Sequence, residues 1–99
     1  MAAVDVGWVG EVIEWRGPAP YLFVPVADPA TDEVADWTRF SYGWGCIPVI
    51  VRLGNTTWET SLMPKDGRYL VPLRVSVQRA EGVGLGDSVR IGLELRLSS

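Results

Sequence analysis

The residues whose chemistry stands out lie in and around one turn. Lys65 and Asp66 place an ammonium group beside a carboxylate within Pro64–Gly67, a segment whose proline and Asp-Gly pair are typical of a tight turn. Ser61 and Tyr69 flank this segment and add two hydroxyl groups. Loops on a rigid scaffold often carry function, so the turn is a candidate site. The same residues also suit a structural turn in which the aspartate bonds its own backbone.

A second group of candidates is aromatic. The chain has 5 tryptophans in 99 residues, and each can bury about 150–250 Å². Trp44 lies between two glycines, which suggests backbone angles or close approaches that a β-carbon would forbid. Such side chains line apolar ligand pockets, or they simply fill the interior of a small barrel. The candidate ligand-binding aromatics are Trp15, Tyr42, Trp44 and Trp58.

Arg74 is the candidate anchor for the polar end of a ligand. It stands five residues before Arg79 in a segment that predicts a short helix, and guanidinium groups bind anions well. The alternative is surface ion pairing with Glu81 and Asp87, which would contribute little. The sequence does not decide between the two.

Composition excludes several chemistries. Histidine is absent and Cys46 is the single cysteine, so a Ser-His-Asp triad, a Cys-His pair and an intramolecular disulfide are impossible within one chain. We expect no metal site and no cofactor. The net charge is −3, whereas a protein that binds nucleic acid usually carries a basic face. We therefore do not expect a nucleic-acid partner. No apolar run is long enough to span a membrane, and no signal peptide is evident, so we expect a cytoplasmic protein.

Hydrophobic periodicity predicts one domain over residues 1–99, made mostly of strands. Strands are predicted over 6–16, 21–26, 46–53, 57–63, 69–73 and 88–97, and short helices over roughly 29–38 and 74–81. Asp28 and Pro29 are expected to begin the first helix as N-cap and first helical residue. Turns are predicted at 16–20 and 54–56. Apolar and polar residues alternate so clearly in the last strand that one of its faces should be exposed to solvent.

A short internal repeat bears on the architecture. Residues 21–25 read Tyr-Leu-Phe-Val-Pro and residues 69–72 read Tyr-Leu-Val-Pro, each after a Gly/Pro turn and before a predicted helix. Two strand–proline–helix units predict a closed sheet with approximate twofold symmetry, capped by two short helices.

Several motifs together resemble the DUF1905 family, a bacterial family of unknown function. They are Tyr42-Gly43-Trp44-Gly45 with Ile47-Pro48-Val49, then Thr60-Ser61-Leu62 and Pro64-Lys65-Asp66-Gly67, then Tyr69, Pro72-Leu73 and Gly86-Asp87-x-Val89. The opening strand, with Trp15 and residues 21–23, also resembles the family. The resemblance spans nearly the whole chain. It implies a double-split β-barrel with helical caps, the architecture of swapped-hairpin transcription factors and antitoxins.

The combined expectation is a mainly β protein: a small double-split barrel of about six to seven strands capped by two short helices. The first functional hypothesis is a domain that binds an apolar or aromatic small molecule, or a peptide, in an aromatic-lined pocket. The alternative is a cyclase or isomerase that acts by shape, in which Tyr42, Lys65 or Asp66 would give modest acid–base help. A third is DNA binding by analogy of fold, which fold alone does not establish. The chain would act as a monomer or homodimer.

Overall fold

The computed structural model describes residues 5–15 and 21–96. The predicted turn at 16–20 lies outside the described residues. In chain order the elements are β1 (Asp5–Glu11), β2 (Ile13–Trp15), β3 (Tyr21–Pro25), α1 (Thr31–Asp36), a 3₁₀ helix (Trp37–Phe40), β4 (Ile47–Leu53), β5 (Thr56–Lys65), β6 (Arg68–Leu73), α2 (Val75–Glu81) and β7 (Ser88–Leu95).

The seven strands form an antiparallel sheet that curls into a nearly closed barrel. Their order is β1-β7-β4-β5-β6-β3-β2, so the two ends of the sheet are β1 and β2. These two strands are separated by Val12 alone, whose N–H donates to the Asp87 carbonyl and whose carbonyl accepts from the Gly86 N–H, both at 2.9 Å. One continuous stretch of chain therefore belongs to both ends of the sheet.

β5 is divided in the same way as the β1–β2 stretch. Its residues up to Leu62 pair with β4, and from Met63 onward they pair with β6. Each long strand thus passes from one half of the sheet to the other. The predicted architecture, a mainly β barrel with two short helices, is confirmed.

Alternating side chains build the core. In β4 the buried residues are Ile47, Val49, Val51 and Leu53, and in β7 they are Val89, Ile91 and Leu93. The residues between them point outward, because successive side chains of a strand face opposite sides of the sheet. The alternation predicted for the last strand is confirmed, and it defines an inner and an outer face for β4 and β7.

The two copies of the short repeat lie next to each other. β3 and β6 pair antiparallel, with Leu22 opposite Leu73 and Val24 opposite Val71. Each strand is followed by one of the two helices. The repeat therefore forms neighbouring strand–helix units in one sheet.

The first helix begins later than the sequence predicted. Its N-cap is Ala30, which makes no side-chain cap, so the prediction of Asp28 as the N-cap was wrong. The chain first makes a turn in which the Ala30 N–H donates to the Ala27 carbonyl at 2.9 Å, and this turn delays the helix. The second helix is confirmed and ends at Gly82, which adopts a φ of 64°, a conformation that glycine takes without steric cost.

The second helix also holds the turn between β4 and β5. The Glu81 carboxylate accepts from the Thr56 hydroxyl at 2.5 Å and from the Asn55 N–H at 3.3 Å. Gly54 opens the turn with a φ of 60°, and a Cβ atom placed there would collide with the Glu81 carboxylate. The turn requires glycine for two reasons, its backbone angle and the space that Glu81 occupies.

Candidate functional site

Residues Tyr42–Cys46 form a small closed loop, which we call the aromatic loop. The Tyr42 N–H donates to the Cys46 carbonyl at 2.8 Å, and the N–H groups of Gly45 and Cys46 both donate to the Tyr42 carbonyl at 3.0 Å. Gly43 and Gly45 have φ values of 56° and 92°, which disfavour residues with a β-carbon. Backbone hydrogen bonds and left-handed glycines together fix the loop.

Trp44 stands at the tip of the aromatic loop and is 95% exposed. Folding therefore buries almost none of its indole, although tryptophan offers one of the largest apolar surfaces among the amino acids. Trp8, Trp37 and Trp58 are at most 8% exposed. Trp44 thus lies in solvent, whereas these three tryptophans lie in the interior.

The aromatic loop is attached to the outer face of β5. The Tyr42 hydroxyl is hydrogen-bonded to the Ser61 hydroxyl, and a Cβ atom at Gly45 would touch the Pro64 ring at 3.4 Å. Tyr42 is 54% exposed, and Met63, two residues beyond Ser61 on the same strand, is 44% exposed. We call the exposed side chains of Tyr42, Trp44 and Met63 the loop surface.

The turn predicted from Lys65 and Asp66 follows Pro64 along the chain. Asp66 and Gly67 form the two-residue turn between β5 and β6, with φ values of 52° and 78°, the pair of positive angles that a type I′ hairpin requires. Lys65 is half-buried and is the last residue of β5. Pro64 is a strand residue, so its expected place at the start of the turn was wrong.

Tyr69 lies across the strand pair from Pro64. Its side chain is half-buried and packs against the barrel core. The structure therefore brings three predicted residues, Ser61, Lys65 and Asp66, to the end of β5 where the aromatic loop is attached. Tyr69 lies at the same end but contributes to the interior.

Three other predicted residues lie elsewhere. Trp58 is 8% exposed and belongs to the core cluster, opposite Val51, so it does not face the same space as Trp44. Arg74 precedes α2, and its Nη2 donates to the Glu59 carbonyl at 2.9 Å, which ties the helix to β5. Trp15 lies in β2 opposite Tyr21, and its side chain is outside the described part of the structure.

Met63 is the surface residue that sequence reasoning missed. The alternation of β5 already placed Ser61 and Met63 on the face opposite Trp58 and Leu62. That signal was sufficient to put Met63 beside Ser61 on the outside. What the sequence did not contain was the hydrogen bond from Tyr42 that brings the aromatic loop to this face.

Polar side chains and possible metal ligands are located among the described residues. Over residues 5–15 and 21–96, every buried side chain is hydrophobic, and no group of three or more His, Cys, Asp or Glu residues is placed to hold a metal ion. The arrangement around the aromatic loop offers contact area and hydroxyl groups.

The chain belongs to the family described as domain of unknown function (DUF1905). The family profile matches residues 9–93, which cover the barrel from β1 to β7, both helices and the aromatic loop. No curated protein matches the chain. In the part of the chain that the structure describes, no helix has the length and apolar character needed to cross a bilayer.

Proposed function

We propose that this protein is a non-enzymatic binding module that docks an apolar segment of a peptide or protein partner on the loop surface. The observation that supports this proposal is Trp44, 95% exposed at the tip of a loop closed by its own backbone hydrogen bonds. Tryptophan is among the residues that contribute most to binding energy at protein interfaces.

The rigidity of the aromatic loop favours binding. A partner that covers Trp44 would remove apolar surface from water, at roughly 25 cal/mol per Å². Ordering a flexible loop on association would offset part of that gain. Here the hydrogen bonds of Tyr42 to Cys46 and to Ser61 already order the loop, so this cost is small.

Exposure also indicates the size of the ligand. Small-molecule sites are concave and bury most of the ligand's surface, whereas an indole at 95% exposure covers a ligand from one side only. A peptide or protein can surround the indole with its own side chains. Lys65 and Asp66, at the end of β5, would then meet polar groups at the rim of the contact, where interfaces are typically polar.

The two alternatives have less support. A cyclase or isomerase acting by shape would need a titratable side chain facing an enclosed space, and the buried side chains of the described residues are hydrophobic. A DNA-binding role would need positive charge to contact phosphates, and the chain carries a net charge of −3. Binding of an apolar partner uses the features that are present.

The test is selection from a random peptide library displayed on phage against the purified protein. Selected peptides are then titrated calorimetrically into the wild type, Trp44→Ala and Leu85→Ala. Leu85 is 60% exposed and lies far along the chain from the aromatic loop, so it controls for loss of an exposed apolar side chain. We expect Trp44→Ala to weaken binding by about tenfold or more, as for an interface hot spot, and Leu85→Ala to leave it unchanged.

Equal affinities for the wild type and Trp44→Ala would contradict the proposal. So would a titration in which free indole binds as tightly as the selected peptides, because that result would assign the site to a small aromatic ligand. Sedimentation analysis at the same protein concentrations detects a second copy as the occupant of the loop surface. A dimer that forms in the wild type and is lost in Trp44→Ala would show that the occupant of the loop surface is a second copy of the chain and not a peptide.

A further inference from the structure

The strands β3 and β6 are apolar on both of their faces. Their inward side chains lie in or against the core cluster and are Leu22, Val24, Val71 and Leu73. Phe23 and Leu70 alternate with these residues, so they point to the outer face of the sheet. Both are buried, yet neither belongs to the core cluster. An antiparallel sheet that covers a core commonly carries polar residues on its other face, and these two strands do not.

The strand register joins the outward residues into one strip. Phe23 is opposite Pro72, and Pro25 is opposite Leu70. Leu70 is in turn opposite Met63 of β5, and residues directly opposite each other in an antiparallel pair share a face. The strip ends at an exposed tyrosine two residues before Phe23. We call these residues the apolar strip: Tyr21, Phe23, Pro25, Met63, Leu70 and Pro72.

The outer face of the other half of the sheet is different, because it carries charge. Arg52 of β4 and Arg90 and Glu94 of β7 alternate there with buried residues. Both halves enclose the same core cluster, so the core does not account for the difference. Tyr21 and Met63 are exposed at the two ends of the apolar strip. Exposed apolar patches mark interaction sites.

The apolar strip continues the loop surface, because Met63 belongs to both. From Met63 to Tyr21 the strip crosses two strand spacings and four residues along β3, a distance of about 17 Å. About five residues of extended chain have this length. A partner segment that covers Trp44 and passes over Met63 therefore needs only about five more residues to reach Tyr21.

The end of the apolar strip beside Met63 is positively charged. Lys65 and Arg68 lie directly opposite each other in the β5–β6 pair, on the same face as Met63, and like charges in opposed positions are unfavourable. Arg68 is exposed and makes no hydrogen bond or ion pair within residues 5–15 and 21–96. Asp66 in the turn is the nearest acid along the chain, and the strip itself contains none.

We propose that the partner segment runs from the loop surface along the apolar strip and carries an acidic residue that meets Arg68. This inference rests on the proposed function, since Trp44 supplies the first contact and the strip determines which segments bind. A carboxylate would accept hydrogen bonds from the Arg68 guanidinium and offset the repulsion from Lys65. The recognised class is therefore an apolar peptide segment with an acidic residue close to the part that covers Met63.

The experiment titrates the peptides selected on phage into two further pairs of variants. Tyr21→Ala should weaken binding by about fivefold or more, whereas Val9→Ala should leave it unchanged. Tyr21 and Val9 are 59% and 58% exposed, but Val9 lies on the outer face of β1. Circular dichroism confirms that each variant is folded.

The second pair tests the charge. Arg68→Gln should weaken binding by about threefold, as for a charge at the rim of an interface, and should reduce the salt dependence of the affinity. Arg90→Gln, the same change on the outer face of β7, should do neither. Replacing the acidic residue of the peptide by its amide should have the effect of Arg68→Gln, and the two changes together should cost no more than one of them.

Amide NMR of the isotope-labelled full chain locates the contact without a variant. At saturation with the tightest selected peptide, we expect the resonances of Phe23 and Leu70 to shift and those of Val9 and Arg90 to stay in place.

Equal affinities of Tyr21→Ala and Val9→Ala, or unshifted amides of Phe23 and Leu70, would overturn the extension along the apolar strip. Selected peptides without an acidic residue, or equal affinities of Arg68→Gln and Arg90→Gln, would overturn the carboxylate contact. In each case a tenfold loss in Trp44→Ala would leave the proposed function standing. Unchanged binding in Trp44→Ala would overturn that function and this inference with it. A wild-type dimer lost in Tyr21→Ala would overturn the peptide as the occupant of the strip in favour of a second copy.

Discussion

Trp8 and Trp44 show two opposite uses of the same residue type. Trp8 is 1% exposed and its indole N–H donates to the Pro25 carbonyl at 2.9 Å, so both its apolar surface and its polar atom are satisfied by folding. Trp44 is 95% exposed. Burial stabilises a fold in proportion to the apolar area removed from water. The position of Trp8 is thus explained by the packing of the barrel, whereas folding leaves Trp44 in solvent, which is the feature on which the proposed peptide contact rests.

The largest expected effect is in the interior. Trp8→Ala should lower the free energy of unfolding by about 3–5 kcal/mol, the usual cost of truncating a buried aromatic side chain. Urea denaturation followed by far-UV circular dichroism measures it. A loss below about 1 kcal/mol, typical of a surface substitution, would remove the contrast between Trp8 and Trp44.

Two of the tight turns with left-handed glycines extend the comparison. Gly54 and Gly43 have similar φ values, 60° and 56°, but only a Cβ at Gly54 meets a neighbour, the Glu81 carboxylate. Gly54→Ala should cost about 1–3 kcal/mol through strain and displacement of Glu81. Gly43→Ala, whose surroundings are open, should cost clearly less. Thermal unfolding measures both variants. Equal losses of stability in Gly54→Ala and Gly43→Ala would show that the collision with Glu81 contributes nothing to the cost.

Two buried indoles can be compared through their N–H groups. Trp8 donates to Pro25, whereas the buried Nε1 of Trp58 has no hydrogen-bond partner within the described residues. Replacement by phenylalanine removes one ring and the N–H at both positions. Trp8→Phe should therefore be costlier than Trp58→Phe by roughly 1 kcal/mol, the net contribution of a hydrogen bond. Chemical denaturation of both variants measures the two losses of stability. A larger loss for Trp58→Phe than for Trp8→Phe would contradict the hydrogen bond assigned to Trp8.

Tyr42→Phe should have a small effect on stability and a larger one on the aromatic loop. It removes the hydrogen bond to Ser61, which on an exposed surface contributes about 0.5–1 kcal/mol. We expect the amide order parameters of Gly43 and Gly45 to fall in NMR relaxation measurements, while those of β4 stay unchanged. Unchanged order parameters throughout the loop would show that its own backbone bonds suffice.

The sequence predicted the barrel because its signals were local. The strands were predicted from features that depend on neighbouring residues: the nearly continuous apolar run of β4, the alternation of β7, the Asp66–Gly67 turn and the short internal repeat. The start of α1 was missed because a preceding turn at Ala27–Ala30 competes with the Asp-Pro start signal. Local patterns were enough for the elements and failed at two of their ends, the start of α1 and the end of β5, where Pro64 continues the strand.

The site was harder to predict because it depends on contacts between distant residues. The sequence marked Tyr42, Trp44 and Trp58 as aromatic candidates without distinguishing inside from outside. The alternation of β5 directs Trp58 to the core, whereas no periodicity governs a closed loop such as Tyr42–Cys46. Its position follows from the hydrogen bond to Ser61, 19 residues away.

The most direct test measures stability and binding on the same variant, Trp44→Ala. Its free energy of unfolding should stay within about 0.5 kcal/mol of the wild type, as for a surface substitution, while its affinity for the selected peptides falls about tenfold or more. That combination would assign Trp44 to recognition alone. A loss of stability comparable to that of Trp8→Ala, or peptide affinity equal to the wild type, would contradict the account.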